Sequence, residues 1–514
     1  MGEEMRNDGP DDLGGRLRAV CDLMMSEARE GMGRHEYDGR VQDLSTAGVT
    51  AALARLGGGE LADPHDEAHL SAFEESLRVA FGELALHRRN PLPHVDALDL
   101  ACYDRTYAPE AERAKARAAH LRGWPEAADA AVATLDAVPA PVASALIGAV
   151  RGLAAALPAD ADPADLERAR AAHTRLVAHV ERIAAEGDPD ISLGGPALAR
   201  LMGSGEAMAV DLGRLAERAD AERDRVTELL IRATARIDGS RPPLEVAREL
   251  VRDHPDGDGV LAAARTTTAE AIAFTRDHDL VPYHDGVCEV GEAPESRRWA
   301  MAMMTWSGPW EADTPSYYHI TPPDPSWPER DIEEWLEVFS ASTLPAVTVH
   351  EVAPGHFSHG RALRRAPSAV RRALQSGSFI EGWAHYAEEL CVEEGFRADD
   401  PRFAVGVWLE ALVRITRLAC AIGVHTGAMT VEDGARRFAA DTHLSGPAAL
   451  AEARRATYDP SYGRYTWGKL AIMDLRDRAR QAWGAGYTHR RFHGALLDLG
   501  APPLGLMATA LERG

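Results

Sequence analysis

Through most of the first 280 residues, apolar side chains recur every three or four positions, the spacing that gathers them on one face of a helix. Leu13, Leu17, Val20, Met24 and Ala28 form one such stripe, and Leu70, Phe73, Leu77, Phe81 and Leu84 form another. Both predict buried helix faces. The alanine-rich stretch from 109 to 187 keeps an apolar series in Leu121, Leu135, Val142, Leu146 and Leu153, so it predicts stacked helices and not a disordered tract. Asp162-Pro163 and Ser240-Arg241-Pro242-Pro243 read as helix starts, because proline fits the first turn, where its missing N–H costs nothing.

The texture changes between 281 and 330, where Pro, Gly, Trp and Tyr accumulate and the helical period fades. Met301 to Trp306 and Ser316 to Thr321 are predicted as short strands, the second ended by Pro322-Pro323-Asp324-Pro325. Helices resume at 329 to 342, 343 to 365, 378 to 394, 401 to 428, 431 to 440, 447 to 457 and 465 to 484. The expected fold is mainly α, with a small β-sheet beside the helix near 343 to 365. Residues 1–280 would form a helical N-terminal region and 281–514 a second region, as two lobes of one unit.

With 80 acidic against 56 basic residues, nearly all of the latter arginine, the 514-residue chain carries a formal charge of -24. Nucleic acid or an anionic membrane would have to bind against that field, so neither is expected as a partner. The polar, acidic stretch from Met1 to Asp12 has no apolar core of a signal peptide, and no apolar run approaches the ~20 residues of a membrane span. Cysteines 21, 102, 288, 391 and 420 are scattered and odd in number, which favours reduced thiols and a cytoplasmic location. Nothing in the pattern specifies an oligomeric state.

The chemistry concentrates in His350-Glu351-Val352-Ala353-Pro354-Gly355-His356. Zinc hydrolases place histidines at i and i+4 of one helix, with the intervening Glu activating a water. Here the second histidine comes at i+6, and six steps of about 100° turn it roughly 120° away from the first on a regular helix. One ion can touch both only if the helix opens. Pro354 supplies the cause, since it lacks the N–H that would bond to the carbonyl of His350 and its ring crowds that oxygen, while Gly355 tolerates the backbone angles of the repair. A hydrolytic zinc centre also needs a third ligand and an open position. We assign His350 and His356 as ligands, Glu351 as general base and Glu381 as third ligand, carried back on the next helix after a turn containing Pro367 and Gly377. His359 and His385 are weaker ligand candidates.

His-Glu-x-x-Pro-Gly-His at 350–356, Glu-Gly-Trp-Ala-x-Tyr-x-Glu-x-Leu at 381–390, Gly-x-His at 423–425 and Tyr-x-x-Gly at 465–468 together resemble the bacterial family called domain of unknown function 885. That family is similar in fold to helical glutamate zincins such as thimet oligopeptidase and the angiotensin-converting enzyme. The resemblance covers roughly residues 315–480. It implies a Zn2+-dependent peptidase or amidase with the ligands and base just named. It also implies that Tyr465 donates a hydrogen bond to the oxyanion, with Tyr462 and Tyr458 as competitors. Ala421 stands where the family tends to have Asp, and the approach to Tyr465 lacks the usual Pro-Gly-Gln. Both departures point toward a narrower amide substrate or another reaction.

Substrate contacts are expected from Tyr317 and Tyr318, on a strand whose free edge would pair with an extended peptide, and from His425. Arg361, Arg414, Arg417 and Lys469 are candidates to bind a substrate carboxylate, Arg417 and Lys469 foremost. The leading expectation is hydrolysis of a peptide or small amide. The alternatives are an elimination or rearrangement of a non-peptide metabolite on the same metal, or a metal-free helical scaffold.

Overall fold

In the computed structural model, residues 13–294, 297–298 and 300–514 are described. The acidic segment read above at 1–12 lies outside the described residues. The chain is 67% helix and 3% strand, as the patterning predicts. Three helices, Glu110–Thr134, Ala140–Gly152 and Pro163–Glu186, account for the alanine-rich stretch. They share a core of Leu121, Trp124, Val142, Leu146, Leu176 and Val180. Alanine between these larger residues lets the helices approach closely. The Asp162 side chain accepts hydrogen bonds from the N–H groups of Ala164 and Asp165, which fixes where the third helix starts.

The largest core lies further along the chain. It joins Leu215, Val226 and Leu230 of the Leu212–Asp238 helix to Trp383, Tyr386 and Leu390 of Gly377–Glu393 and to Leu409, Leu412 and Ile415 of Pro401–His425. Apolar surface from both sides of residue 280 is therefore buried together. No helix among the described residues is long and apolar enough to cross a membrane. The five cysteines are free thiols, and four of them are buried.

Three strands form the sheet, β1 (Cys288–Glu292), β2 (Ala302–Thr305) and β3 (Ser316–Ile320), in the order β1-β3-β2. β3 runs parallel to β1 and antiparallel to β2. Patterning misses β1, because two apolar residues beside Gly286 and Gly291 give too short an alternation. β3 is thus the central strand, hydrogen-bonded on both sides, which corrects the expectation that its edge is free for a peptide. Along β3, Ser316, Tyr318 and Ile320 are buried, while Tyr317 and His319 share the other face with their rings stacked at 5.6 Å. Tyr318 and Ile320 pack with Leu344, Val347, Val352, Ala353 and Phe357, which sets the sheet beside the 343–363 segment.

The C-terminal helices fall close to their predicted places, with one informative difference. In place of one helix from 343 to 365 there are two, Thr343–Glu351 and His356–Leu363. Helices His489–Leu497 and Thr509–Arg513 follow where none was predicted.

Candidate metal centre

All nine residues of the Thr343–Glu351 helix are buried, because Leu344, Pro345, Ala346, Val347 and Val349 leave it no polar face. It runs through the interior and delivers His350 and Glu351 at its C-terminal end, where the helix dipole favours a positive charge. The break after Glu351 is filled by Val352 to Gly355, with a cis Ala353–Pro354 peptide bond. Gly355 turns out to be needed for space and not for a left-handed backbone. Its φ is -71°, but a Cβ there would collide with the carbonyl oxygens of His350 and Val349. Trp383 secures the turn from the facing helix, donating its indole N–H to the carbonyl of Pro354 at 2.9 Å.

The break brings the two histidines together. Their ring centroids are 4.7 Å apart with planes at 85°, and each Nε2 lies 3.6 Å from the same Glu381 oxygen, Oε2. Ligand atoms of all three residues lie within 4.8 Å of one another. Zinc bonds of ~2.0–2.2 Å in a tetrahedral arrangement separate ligand atoms by roughly 3.3–3.6 Å. The donor set of two imidazoles and a carboxylate therefore fits zinc in type and in spacing. The Glu381 side chain is 23% exposed, against 6% for His350 and 9% for His356, so the open side of the cluster is the carboxylate side.

Glu381 reaches this position through two glycines. A Cβ on Gly382 would fall 2.5 Å from Gly468 Cα, and one on Gly468 would collide with the carbonyl of Ser378. Helices Gly377–Glu393 and Arg464–Trp483 cross at this point with backbones nearly touching. Tyr465, one turn before Gly468, is thereby placed with its ring centroid 6.4 Å from that of His350. The Tyr-x-x-Gly spacing is a packing device that carries the tyrosine to the histidines. Tyr462 is fully buried in a separate apolar cluster, and Tyr458 packs on the alanine-rich helices.

Electrostatics favour a cation here. Burial and the nearby Arg414 both disfavour a charged His350, yet the adjacent carboxylates of Glu381 and Glu388 outweigh them and raise its pKa to about 9. For Glu381, burial is outweighed by the two adjacent imidazoles of His350 and His356, which hold it well below the usual carboxylate range. For Tyr465, burial and then the Glu381 charge push the phenol pKa upward.

One residue of the site was missed. Glu388, fully buried, accepts from His350 Nδ1 at 2.6 Å and so directs Nε2 toward Glu381. Arg414 donates to its other oxygen at 3.0 Å. The signal was present, since Glu388 lies seven residues after Glu381, two helical turns along the same face. The other residues named from sequence lie outside the three-residue cluster, some of them close to it. Tyr318 is buried with its hydroxyl 3.4 Å from Thr348 Oγ1, and it is on the opposite face of β3 from Tyr317, so the two cannot line one pocket. His425 is buried, its Nε2 2.8 Å from the carbonyl of Ala456. Lys469 is fully buried against Glu389 at 2.5 Å and Glu222 at 3.2 Å. Arg417 binds Glu452 through two nitrogens at 2.7 and 2.8 Å while facing the Tyr465 ring. Arg361 is taken up by Asp313 and Asp285. His359 Nε2 meets the carbonyl of Gly500 at 3.2 Å, away from the cluster, and His385 lies 3.7 Å from Glu388.

The whole fold has solved counterparts. A protein described as "a putative lipoprotein of unknown function" from Shewanella oneidensis superposes with a TM-score of 0.76 at 20% identity, over 96% of this chain and 97% of its own. "The putative lipoprotein from Colwellia psychrerythraea" gives 0.79 at 15% identity, over 98% and 97%. At such identities the likeness establishes the fold alone. No curated protein matches the sequence. A family model described as "bacterial protein of unknown function (DUF885)" matches residues 27–511, nearly the whole chain, and the chain belongs to that family.

Proposed function

We propose that this protein is a zinc-dependent hydrolase of a peptide or small amide bond, a helical relative of the glutamate zincins. The observation that carries the reading is the convergence of His350 Nε2 and His356 Nε2 on one oxygen of Glu381, with Glu351 next in sequence to the first ligand. His350, His356 and Glu381 would hold the zinc ion, which would supply a Lewis acid for a carbonyl and for a water near neutral pH. Glu351 takes the proton from the attacking water and passes it to the departing nitrogen. Tyr465, kept protonated by burial and by the Glu381 charge, donates a hydrogen bond to the oxygen that gains charge as the carbonyl becomes tetrahedral. Glu388 and Arg414 fix the tautomer and orientation of His350.

We place this activity in the cytoplasm, on the strength of the five free thiols. The Shewanella and Colwellia proteins, as described, would argue for a lipid anchor, and membrane fractionation decides between the two settings. The activity is tested by incubating the zinc-loaded protein with a peptide library in heavy-oxygen water. Hydrolysis places the label in a new carboxylate. Cleavage products without label would convert the reading to an elimination or rearrangement, and a protein that binds no zinc would end it.

A further inference from the structure

Tyr465 is surrounded by arginine. The guanidinium carbons of Arg414, Arg417 and Arg464 lie 5.8, 5.4 and 5.9 Å from its ring centroid. They come from two elements, Arg414 and Arg417 from helix Pro401–His425 and Arg464 from the first residue of helix Arg464–Trp483. Like charges are seldom collected round one ring unless something holds each from behind. Here Glu388 and Glu410 hold Arg414 at 3.0 and 3.5 Å, Glu452 holds Arg417, and Asp459 holds Arg464 at 2.8 and 2.9 Å. A fourth arginine, Arg455, shares Asp459 at 3.1 Å.

These pairs do not exhaust the donors. Arg417 uses Nε and Nη2 on Glu452, and Arg464 uses Nη1 and Nη2 on Asp459. Among the described residues none is seen to accept from Arg417 Nη1 or Arg464 Nε, and the two side chains keep 15% and 24% of their surface exposed. Four guanidiniums stand against four carboxylates, so the arginine cluster has no surplus charge for a dianion. What it offers is oriented N–H groups for a planar monoanion. From any of the three guanidiniums to the His350 ring, by way of the Tyr465 ring, is at most about 12 Å, the span of three to four extended residues.

We propose that Arg417 and Arg464 bind the carboxylate of the substrate, so that the protein acts on short peptides or N-acyl amino acids whose free carboxylate lies within about three residues of the scissile amide. The proposal rests on the hydrolase reading above and narrows its substrate class. Arg417 and Arg464 would be substrate-binding residues, and Arg414, engaged with Glu388, would connect them to the His350 side of the centre.

The test compares N-acetyl tripeptides ending in a free carboxylate with the same sequences ending in an amide, on the zinc-loaded full-length protein. The free acids should be cleaved with a kcat/KM about tenfold to a hundredfold higher, the contribution of hydrogen bonds to a charged group. In the double variant Arg417→Gln/Glu452→Gln, which removes the arginine without stranding its acid, that ratio should fall severalfold with the melting temperature held. Arg464→Gln should lower it independently. A ratio near one in the natural protein, or an undiminished ratio in both variants, overturns the proposal. Calorimetric titration of the same two peptide sets into zinc-loaded Glu351→Gln separates this outcome from failure of the hydrolase reading. Preferential binding of the acids without any cleavage by the natural protein keeps the carboxylate subsite and rejects hydrolysis. Cleavage with no preference in rate or binding rejects the subsite and keeps hydrolysis.

Discussion

Helix Gly377–Glu393 takes part in two buried clusters of charge a short distance apart, and they behave as opposites. At Glu381 the carboxylate meets two imidazoles whose Nε2 atoms point to the same oxygen at 3.6 Å, beyond hydrogen-bonding length and near ligand spacing. At Glu389 the carboxylate is closed in by full cations, with Lys469 at 2.5 Å and Arg225 at 2.7 and 2.8 Å, while Glu222 completes the cluster. The second cluster neutralises itself with lysine and arginine, whereas the first sets one carboxylate oxygen against two imidazoles, residue types that can hold a metal ion. Both are buried and ionisable, so burial and charge alone do not mark a site. What distinguishes the first is that two imidazoles and a carboxylate, the residue types that ligate metals, converge on one point.

The largest break in this comparison should come from Glu351→Gln. The substitution keeps the shape and leaves His350, His356 and Glu381 in place, so zinc content by metal analysis should be unchanged. Turnover should fall by about a hundredfold to ten-thousandfold, the usual contribution of a general base. Full activity in this variant would remove Glu351 from the mechanism.

Lys469→Met should do the reverse. It leaves Glu389 and Glu222 buried with Arg225 alone to balance them, and breaking a buried ion pair on one side costs about 3–5 kcal/mol. Thermal melting should show that loss, while zinc affinity measured well below the melting temperature stays as it was. A large drop in zinc affinity without a loss of stability would mean that the two clusters are one functional unit.

How much of this was legible in the sequence follows the same line. The helical period located nearly every long helix, because periodicity is local. The open motif helix was legible because proline chemistry is local too, and so was the clustering of His350, His356 and Glu381, because those residue types in that order are what a shared metal ion would require. Partners from distant segments were not legible. That Lys469 spends its charge on Glu222 and Glu389, or Arg361 on Asp285 and Asp313, depends on tertiary contacts that no spacing encodes. β1 escaped because its five residues acquire strand character only by pairing with β3. Glu388 is the intermediate case: its place on the Glu381 face was written in the sequence, but its role required knowing that His350 Nδ1 lies opposite.

Glu388→Gln sharpens the first half of the comparison. The amide still reaches His350 but no longer offers a charged acceptor, so the imidazole becomes a weaker and less firmly oriented ligand. Zinc affinity should fall by about tenfold to a hundredfold, as for other partners that orient a ligating histidine. Competition with a chelator of known affinity would measure it, and an unchanged affinity would show that Glu388 serves only Arg414.

The smallest expected effect is acid sensitivity, and it belongs to the second cluster. Burial raises the pKa of Glu389, but Lys469 and Arg225 outweigh it and hold the group at about 2. A folded-state pKa below the unfolded value of about 4.3 means that the unfolded chain binds the proton first as the pH falls. The stabilisation is therefore complete above about 4.3 and drains away between there and about 2. Melting temperatures of the natural protein should be insensitive to this group from pH 7 to 5 and should decline below. In Glu389→Gln the decline should be shallower, even though that variant starts from lower stability. An acid limb of identical slope in the two proteins would show that Glu389 is not the group being titrated, and that its ion pairs are not what distinguishes the closed cluster from the open one.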